Sequence, residues 1–171
     1  MKTKIFIYSV CISIVLILQT TLLEHITIWD IKPNLLVVFT ISVALLRGNP
    51  EGAVIGLITG VALDMSIGKL IGFNGLMCMY VGIIAGLLNK KIFRENFFIV
   101  LVFTFGFSVV YEFITYFIYN FSAGNSAWLF AIKNVILPVS IYNSIACLFI
   151  HLPGVRINRR IERTNNISRK Y

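Results

Sequence analysis

The chain has 171 residues, of which 58% are hydrophobic and 13% are charged, about half the charged share of typical soluble domains. A transmembrane helix takes about 20 apolar residues, so six would take about 120 and leave no room for a separate soluble domain. These figures exclude large catalytic, nucleotide-binding and extracellular receptor modules, and they indicate a compact polytopic membrane protein.

Six apolar segments follow one another, separated by turns that are polar or carry Gly or Pro. They are Ile5–Leu23, Asn34–Leu46, Gly52–Leu63, Phe73–Leu88, Phe97–Phe121 and Asn134–Leu152. The first lacks a small-residue cleavage site and is interpreted as a retained span, and Pro138 is expected to kink the last. The predicted fold is an all-α bundle of six helices over residues 1–155, followed by a basic cytoplasmic tail over residues 156–171.

Twelve of the fifteen Lys and Arg residues fall on one side if the N-terminus is cytoplasmic and six segments span. Only Lys32, Lys69 and Lys133 fall on the outer side, which fits the positive-inside rule and places both termini in the cytoplasm. The formal charge of +8 is therefore interpreted as a topology signal, and the basic tail is expected to contact anionic lipids. No nucleic-acid motif accompanies it. Tryptophans Trp29 and Trp128, and histidines His25 and His151, are expected at the membrane interfaces.

Segments two and three are the shortest of the six, with 13 and 12 residues. The 13 residues of segment two give about 20 Å of helix, whereas the hydrocarbon core of a bilayer is about 30 Å thick. Two arrangements of segments two and three stay open. In the first, both segments span the membrane with local thinning of the bilayer. In the second, they form a re-entrant hairpin buried in protein.

Small residues recur every four positions in the middle of the chain. They are Gly48, Gly52, Gly56, Gly60, Gly68 and Gly72, with Asp64 at the missing position. In segment three they form a bare stripe on one helical face, and Gly82 and Gly86 repeat the spacing in segment four. Such stripes let helices approach closely in lipid. The five glycines at 52, 56, 60, 82 and 86 could therefore pack inside the monomer or bind a partner's membrane helix.

Glu112 is an acidic residue well inside segment five. Polar side chains at i−4, i+3, i+4 and i+7 share its helical face. They are Ser108, Thr115, Tyr116 and Tyr119. An ionisable group at membrane depth suggests function by default, so this face is either a proton or ligand site or a structural, hydrogen-bonded carboxyl. Asp64 is expected to cap the next helix or to pair with Lys69.

Catalytic and metal-binding motifs are missing from the sequence. There is no GxSxG, HExxH or phosphate-binding loop, and the three cysteines lie in apolar runs without metal-binding spacing. The sequence therefore predicts no enzyme, cofactor or metal.

Several short motifs in the first half occur in a characteristic order. They are Leu18-Gln-Thr-Thr-Leu-Leu, Ile31-Lys-Pro-Asn-Leu-Leu, Ala44-Leu-Leu-Arg-Gly, Glu51-Gly, Gly56, Gly60, Asp64 and Gly72-Phe-Asn-Gly-Leu. Together with the length, layout and basic tail, they resemble the MreD family of rod shape-determining membrane proteins. The motif positions are Gln19, Pro33, Asn34, Arg47, Gly48, Asp64, Gly72 and Asn74. The family often has Pro-Asp-Leu where this chain has Pro33-Asn34-Leu35, and from Phe97 onward the match is by hydropathy.

The resemblance implies a non-enzymatic scaffold of the bacterial elongation machinery in the cytoplasmic membrane. Such proteins bind MreC, whose single membrane helix needs a groove, and they act with MreB, the RodA glycosyltransferase and a class B transpeptidase in lateral peptidoglycan synthesis. The resemblance also implies a fold similar to the substrate-binding subunits of energy-coupling vitamin transporters. The alternative function is a small-solute-binding transporter subunit with a polar site around Glu112.

Overall fold

A computed structural model describes residues 2–22, 31–67, 71–89, 97–121 and 128–168, with side chains at 5–21, 31–66, 71–89, 97–119 and 129–158. Within these ranges the chain is all-α. Its helices are α1 (Lys2–Ile17, continued by a π-helical turn at Leu18–Leu22), α2 (Leu35–Arg47), α3 (Asn49–Ile67), α4 (Phe73–Leu87), α5 (Phe97–Phe121) and α6 (Trp128–Ala131, a π-helical turn at Ile132–Ile136, and Leu137–Ser168). The predicted all-α class is confirmed, with six helices in the described part of the chain.

Two helices extend beyond the apolar segments that predicted them. Helix α3 begins at Asn49, and Pro50 lies in its first turn. Proline is tolerated there because the N–H group that it lacks would have no intrahelical acceptor. Helix α6 continues through Pro153 to Ser168, so no helix end marks the predicted boundary between residues 155 and 156. The π-helical turn at Ile132–Ile136 lies directly before the region of Pro138, where a kink was expected.

The residues expected at the membrane interfaces are only partly described. His151 is 2% exposed, so its side chain is buried against the bundle, and its position relative to the membrane interface stays a prediction. His25, Trp29 and Lys69 lie outside the described residues, as does the side chain of Trp128.

Consecutive helices run in opposite directions. In the α2–α3 pair, Thr40 Oγ1 lies 2.7 Å from Thr59 Oγ1, and Ala44 lies beside Gly52, so the residue numbers run in opposite senses along the contact. The α5–α6 pair shows the same reversal, since Ser108 contacts Asn143 and Thr104 contacts Cys147. The end of α1 meets the start of α2 at Gln19, the end of α3 meets the start of α4 at Asp64, and the start of α4 meets the C-terminal half of α5 at Tyr119. The N-terminal ends of α2, α4 and α6 therefore lie on the same side of the bundle as the C-terminal ends of α1, α3 and α5.

Helix α2 occupies the centre of the bundle. Every residue from Leu36 to Leu46 is buried, and the helix packs against α1, α3, α4, α5 and α6. A helix that is apolar on all sides has to be enclosed, and the two hydroxyls in its middle are paired. Thr40 bonds to Thr59, and Ser42 Oγ lies 3.9 Å from Cys147 Sγ.

The outer helices differ from α2 in length and exposure. Among the described residues, the helices over Phe97–Tyr119 and Leu129–Asn158 are long and apolar enough to cross a membrane. Helix α5 exposes large apolar side chains on its outer face, among them Phe98, Val102 and Val110. An apolar surface of this kind suits contact with lipid or with another membrane helix.

The glycine stripes of α3 and α4 face each other. A Cβ added to Gly52 would lie 2.7 Å from the backbone oxygen of Gly82, and a Cβ on Gly60 would lie 2.6 Å from the backbone carbon of Asn74. Gly56 meets Cys78 and Gly86 meets Asn49 in the same way. The interpretation of these glycines as a surface for a partner helix is therefore corrected. The neighbouring helix of the same chain already occupies that face, because only glycine lets the two backbones approach this closely.

This packing predicts opposite effects for the same substitution at two helical glycines. Gly56→Ala places a Cβ 2.7 Å from the Cys78 carbonyl carbon and should lower the free energy of unfolding by about 2 kcal/mol through overpacking. Gly106→Ala is the matched control, since its Cβ would meet nothing within 4 Å and alanine favours the helix. Thermal unfolding of both variants in detergent tests the contrast, and equal stability would contradict the α3–α4 contact.

Candidate functional site

The motif residues share one structural property: each lies at or beside a helix end. They are Gln19, Pro33, Asn34, Arg47, Gly48, Asp64, Gly72 and Asn74. The terminal N–H and C=O groups of a helix lack intrahelical partners, and in lipid no water replaces them. Three polar clusters of the protein satisfy these groups.

The first cluster lies at the start of α2. The Gln19 amide bonds to both sides of the chain entering the helix, because its Nε2 donates to the Pro33 carbonyl (3.2 Å) and its Oε1 accepts from the Leu35 N–H (2.8 Å). Asn34 caps the helix by accepting from the Val37 N–H at 3.3 Å. Asparagine supplies the same capping oxygen as aspartate, so the departure from the Pro-Asp-Leu pattern preserves this function.

Asn143 of α6 ties the first cluster to the rest of the bundle. Its Oδ1 accepts from the Asn34 N–H at 2.6 Å, and its Nδ2 donates to Ser108 Oγ of α5 at 3.2 Å. Asn143 and Ser108 are both fully buried. One amide thus joins three helices, and the two residues of its shortest contact are 109 positions apart in the chain.

The second cluster lies at the start of α4. The Asp64 carboxylate accepts from the backbone N–H groups of Gly72 (2.9 Å), Asn74 (3.1 Å) and Gly75 (3.1 Å). It also accepts from Asn74 Nδ2 at 2.9 Å. Gly72 precedes the helix at φ +94°, a left-handed conformation that glycine adopts without steric cost. Capping of the next helix, one of the two roles expected of Asp64, is therefore observed.

Asn74 extends this cluster to α5. Its Oδ1 accepts from the Tyr111 hydroxyl at 2.6 Å, and its Nδ2 lies 3.4 Å from the Tyr119 hydroxyl oxygen. The Tyr119 ring also packs edge-on against Phe73 at 5.7 Å between centroids. Tyr111 is 1% exposed and was missed from sequence. The sequence signal that could have found Tyr111 is its helical spacing from Val100, Thr104 and Ser108, which all lie on one buried stripe of α5.

Glu112 does not lie at the centre of a polar site. The structure separates the residues predicted to surround it, since Ser108 joins the first cluster and Tyr119 joins the second. Thr115 and Tyr116 are half-buried, as is Glu112. Among the described side chains, no hydrogen bond or ion pair to the Glu112 carboxylate is observed. The interior position that Glu112 was expected to take is occupied by Tyr111, one residue earlier on the helix.

The third cluster lies at the joint between α2 and α3. Gly48 sits at φ +92°, and its N–H donates to the Ala44 carbonyl at 2.8 Å. The Asn89 amide, oriented so that donors face acceptors, accepts from the N–H groups of Arg47 (3.2 Å) and Gly48 (2.5 Å). Its nitrogen donates to the Leu45 carbonyl at 3.3 Å. Asn89, two residues after the end of α4, thus closes the end of α2.

Two charged side chains lie beside this joint. Arg47 Nε lies 3.8 Å from Glu51 Oε2, and the same carboxylate oxygen accepts from the Tyr8 hydroxyl at 2.8 Å. Helix α1 is therefore attached to the core at both ends, through Gln19 at one and Tyr8 at the other. Between these attachments an apolar groove of about 230 Å³ separates α1 from α2 and α6.

The three clusters bind helices to one another, and their geometry offers no catalytic arrangement. Within the described ranges, no group of three or more His, Cys, Asp or Glu side chains could hold a metal ion. Cys78 and Cys147 are fully buried, and Cys11 is half-buried beside the groove.

The fold and the clusters define a helical membrane protein whose motif residues hold its helix ends together. The chain belongs to the MreD family, because the model for the rod shape-determining protein MreD matches residues 2–156. Its role is therefore in rod shape determination. Comparisons with curated proteins and with solved structures give no match. The expected similarity to subunits of energy-coupling transporters gains no support from them.

The second cluster predicts different outcomes for two acid-to-amide substitutions. Asp64→Asn replaces one acceptor oxygen with an NH2 group that faces N–H donors, and it should lower the free energy of unfolding by about 2 kcal/mol. Glu112→Gln should cause no loss, since no described side chain bonds to that carboxylate. Thermal unfolding in detergent compares the two variants, and a greater loss in Glu112→Gln would refute the assignment.

The first cluster predicts that Asn34 is replaceable by aspartate and not by alanine. Asn34→Asp keeps the oxygen that caps α2 and should leave stability within about 0.5 kcal/mol of the original chain. Asn34→Ala removes the cap and should lower the free energy of unfolding by about 1 kcal/mol. The two variants are compared under the same unfolding conditions. An Asp variant as unstable as the Ala variant would show that the side-chain cap is unimportant.

Proposed function

We propose that this chain is a multi-pass scaffold of the rod complex in the bacterial cytoplasmic membrane. In this proposal it binds MreC directly and supports lateral peptidoglycan synthesis and cell-shape maintenance without catalysing a reaction. MreB, the RodA glycosyltransferase and a class B transpeptidase are reached through the complex. The observation that carries the proposal is the family match, which spans residues 2–156 and therefore nearly the whole chain.

The arrangement of the helices supports a six-span topology. The antiparallel order places Arg47, at the end of α2, on the same side as the start of α1 and the basic end of α6. Positively charged residues favour the cytoplasmic side, so we propose that both termini are cytoplasmic. Residues 1–155 would form the membrane domain, and the basic tail at 156–171 would contact anionic lipids as a continuation of α6.

The faces that remain open to a partner helix are apolar. Since the glycines of α3 and α4 pack on each other, a partner would contact the exposed outer surfaces. One of these is the stripe of Leu76, Tyr80, Ile84 and Leu87 on α4, whose spacing follows one helical face. Helix α5 presents another such surface. Association there would depend on van der Waals packing, because lipid and side chains are similarly apolar.

Capture of MreC tests the scaffold proposal. The tagged chain, solubilised from membranes in mild detergent, should retain full-length MreC and lose at least about tenfold when the membrane helix of MreC is replaced by an unrelated apolar helix. A tagged multi-pass protein of similar size that lies outside the rod complex serves as the control bait. Failure to retain MreC, or retention that is independent of its helix, would contradict direct binding within the membrane.

A further inference from the structure

The groove between α1 and the core has a polar end and an apolar length. It is lined by α1 from Ile7 to Leu18, by α2 from Phe39 to Arg47 and by α6 from Phe149 to Asn158. Helix α1 runs antiparallel to α2, and α6 runs parallel to α2. The polar lining residues Tyr8, Arg47 and Asn158 therefore lie at the same end of the groove. The remaining lining is apolar along about 16 Å of α1.

Arg47 is unusually placed for a cation. Its side chain is 10% exposed, and its Nη2 is buried with no hydrogen-bond acceptor among the described residues. Glu51 lies on the Nε side, and one of its oxygens already accepts from Tyr8. A buried N–H without an acceptor is costly, so Nη2 has a place for a further acceptor, and an anionic acceptor forms the stronger, charge-assisted hydrogen bond.

The lining of the groove favours one kind of occupant. Its walls are apolar along α1, α2 and α6, and its cation, Arg47, lies at one end. Charge complementarity therefore favours an apolar occupant with an anionic group at one end. A hydrocarbon chain with a phosphate at one end matches both the apolar length and the cationic end.

We propose that the groove is a binding site for one glycerophospholipid. One acyl chain lies between α1 and α6, and the phosphodiester accepts hydrogen bonds from Arg47 after its side chain turns into the groove. Guanidinium groups bind phosphate oxygens in this bidentate manner. Tyr8 and Asn158 border the headgroup. This site differs from diffuse attraction of lipid to the basic tail, because it requires a particular side chain and a particular cavity.

Native mass spectrometry of the full chain in a neutral maltoside detergent tests the site. Titration with dioleoylphosphatidylglycerol should show one lipid retained per chain at low concentration. Dioleoylglycerol, which has the same acyl chains without the phosphate, should bind at least about tenfold more weakly. Arg47→Gln should weaken retention of the phospholipid by about tenfold, as expected for a lost charge-assisted hydrogen bond.

Arg156→Gln is the matched control. Arg156 is exposed at the same end of the molecule and does not line the groove, so this variant removes the same charge and should retain the lipid. Equal weakening in both variants would overturn the proposal in favour of diffuse attraction to the basic surface. Equal binding of dioleoylglycerol would overturn the role of the phosphate.

A second measurement needs no substitution and does not depend on the stability of a variant. Cys11 lines the groove, whereas Cys78 and Cys147 are fully buried. Dioleoylphosphatidylglycerol should slow the reaction of Cys11 with N-ethylmaleimide by about tenfold, and dioleoylglycerol should not. An unchanged rate would overturn the site. If Cys11 is protected in native membranes only when MreC is present, and the chain retains no phospholipid, the groove would be assigned to a partner helix instead.

Discussion

The structure depends on the enclosure of one short helix. Helix α2 is 13 residues long and buried along its length, so its two ends cannot both reach the surfaces of a bilayer about 30 Å thick. Each unsatisfied N–H or C=O in an apolar medium costs several kcal/mol. The protein therefore has to supply those partners, and Gln19, Asn34 and Asn143 at one end and Gly48 and Asn89 at the other do so.

This requirement accounts for the types of residue in the motifs. Amides recur because one amide can both donate and accept, as Gln19 does across Pro33 and Leu35. Glycine recurs for two separate reasons, a positive φ at Gly48 and Gly72 and close backbone approach in α3 and α4. The motif residues thus lie where helix ends and helix faces meet. In the proposed function, partner binding falls to the apolar surfaces, which carry none of these motif residues.

Local patterns were sufficient to predict the helices and one of the caps. Hydropathy and the flanking Gly and Pro residues located all six helices, and Asp64 was expected to cap α4 because it precedes that helix by a short turn. The partners of Asn34 could not be predicted, since Asn143 lies 109 residues away and nothing in one sequence relates the two. Glu112 was expected to have a polar stripe around it, whereas Tyr111, one residue earlier, takes the fully buried position and the stripe is divided between two clusters. The glycine stripes signalled close packing correctly, but the same stripe serves an internal or an external helix, so only the three-dimensional arrangement could show which.

The length of α2 also constrains the order in which the chain can be assembled in the membrane. A segment of about 20 Å with an asparagine and an arginine at its boundaries is a poor independent insertion unit, because insertion favours about 20 apolar residues. Its hydrogen-bond partners come from α1, α3, α6 and Asn89 after α4, and α6 is the last of the described helices to be synthesised. The environment of the second helix is therefore complete only once the last helix has packed against it.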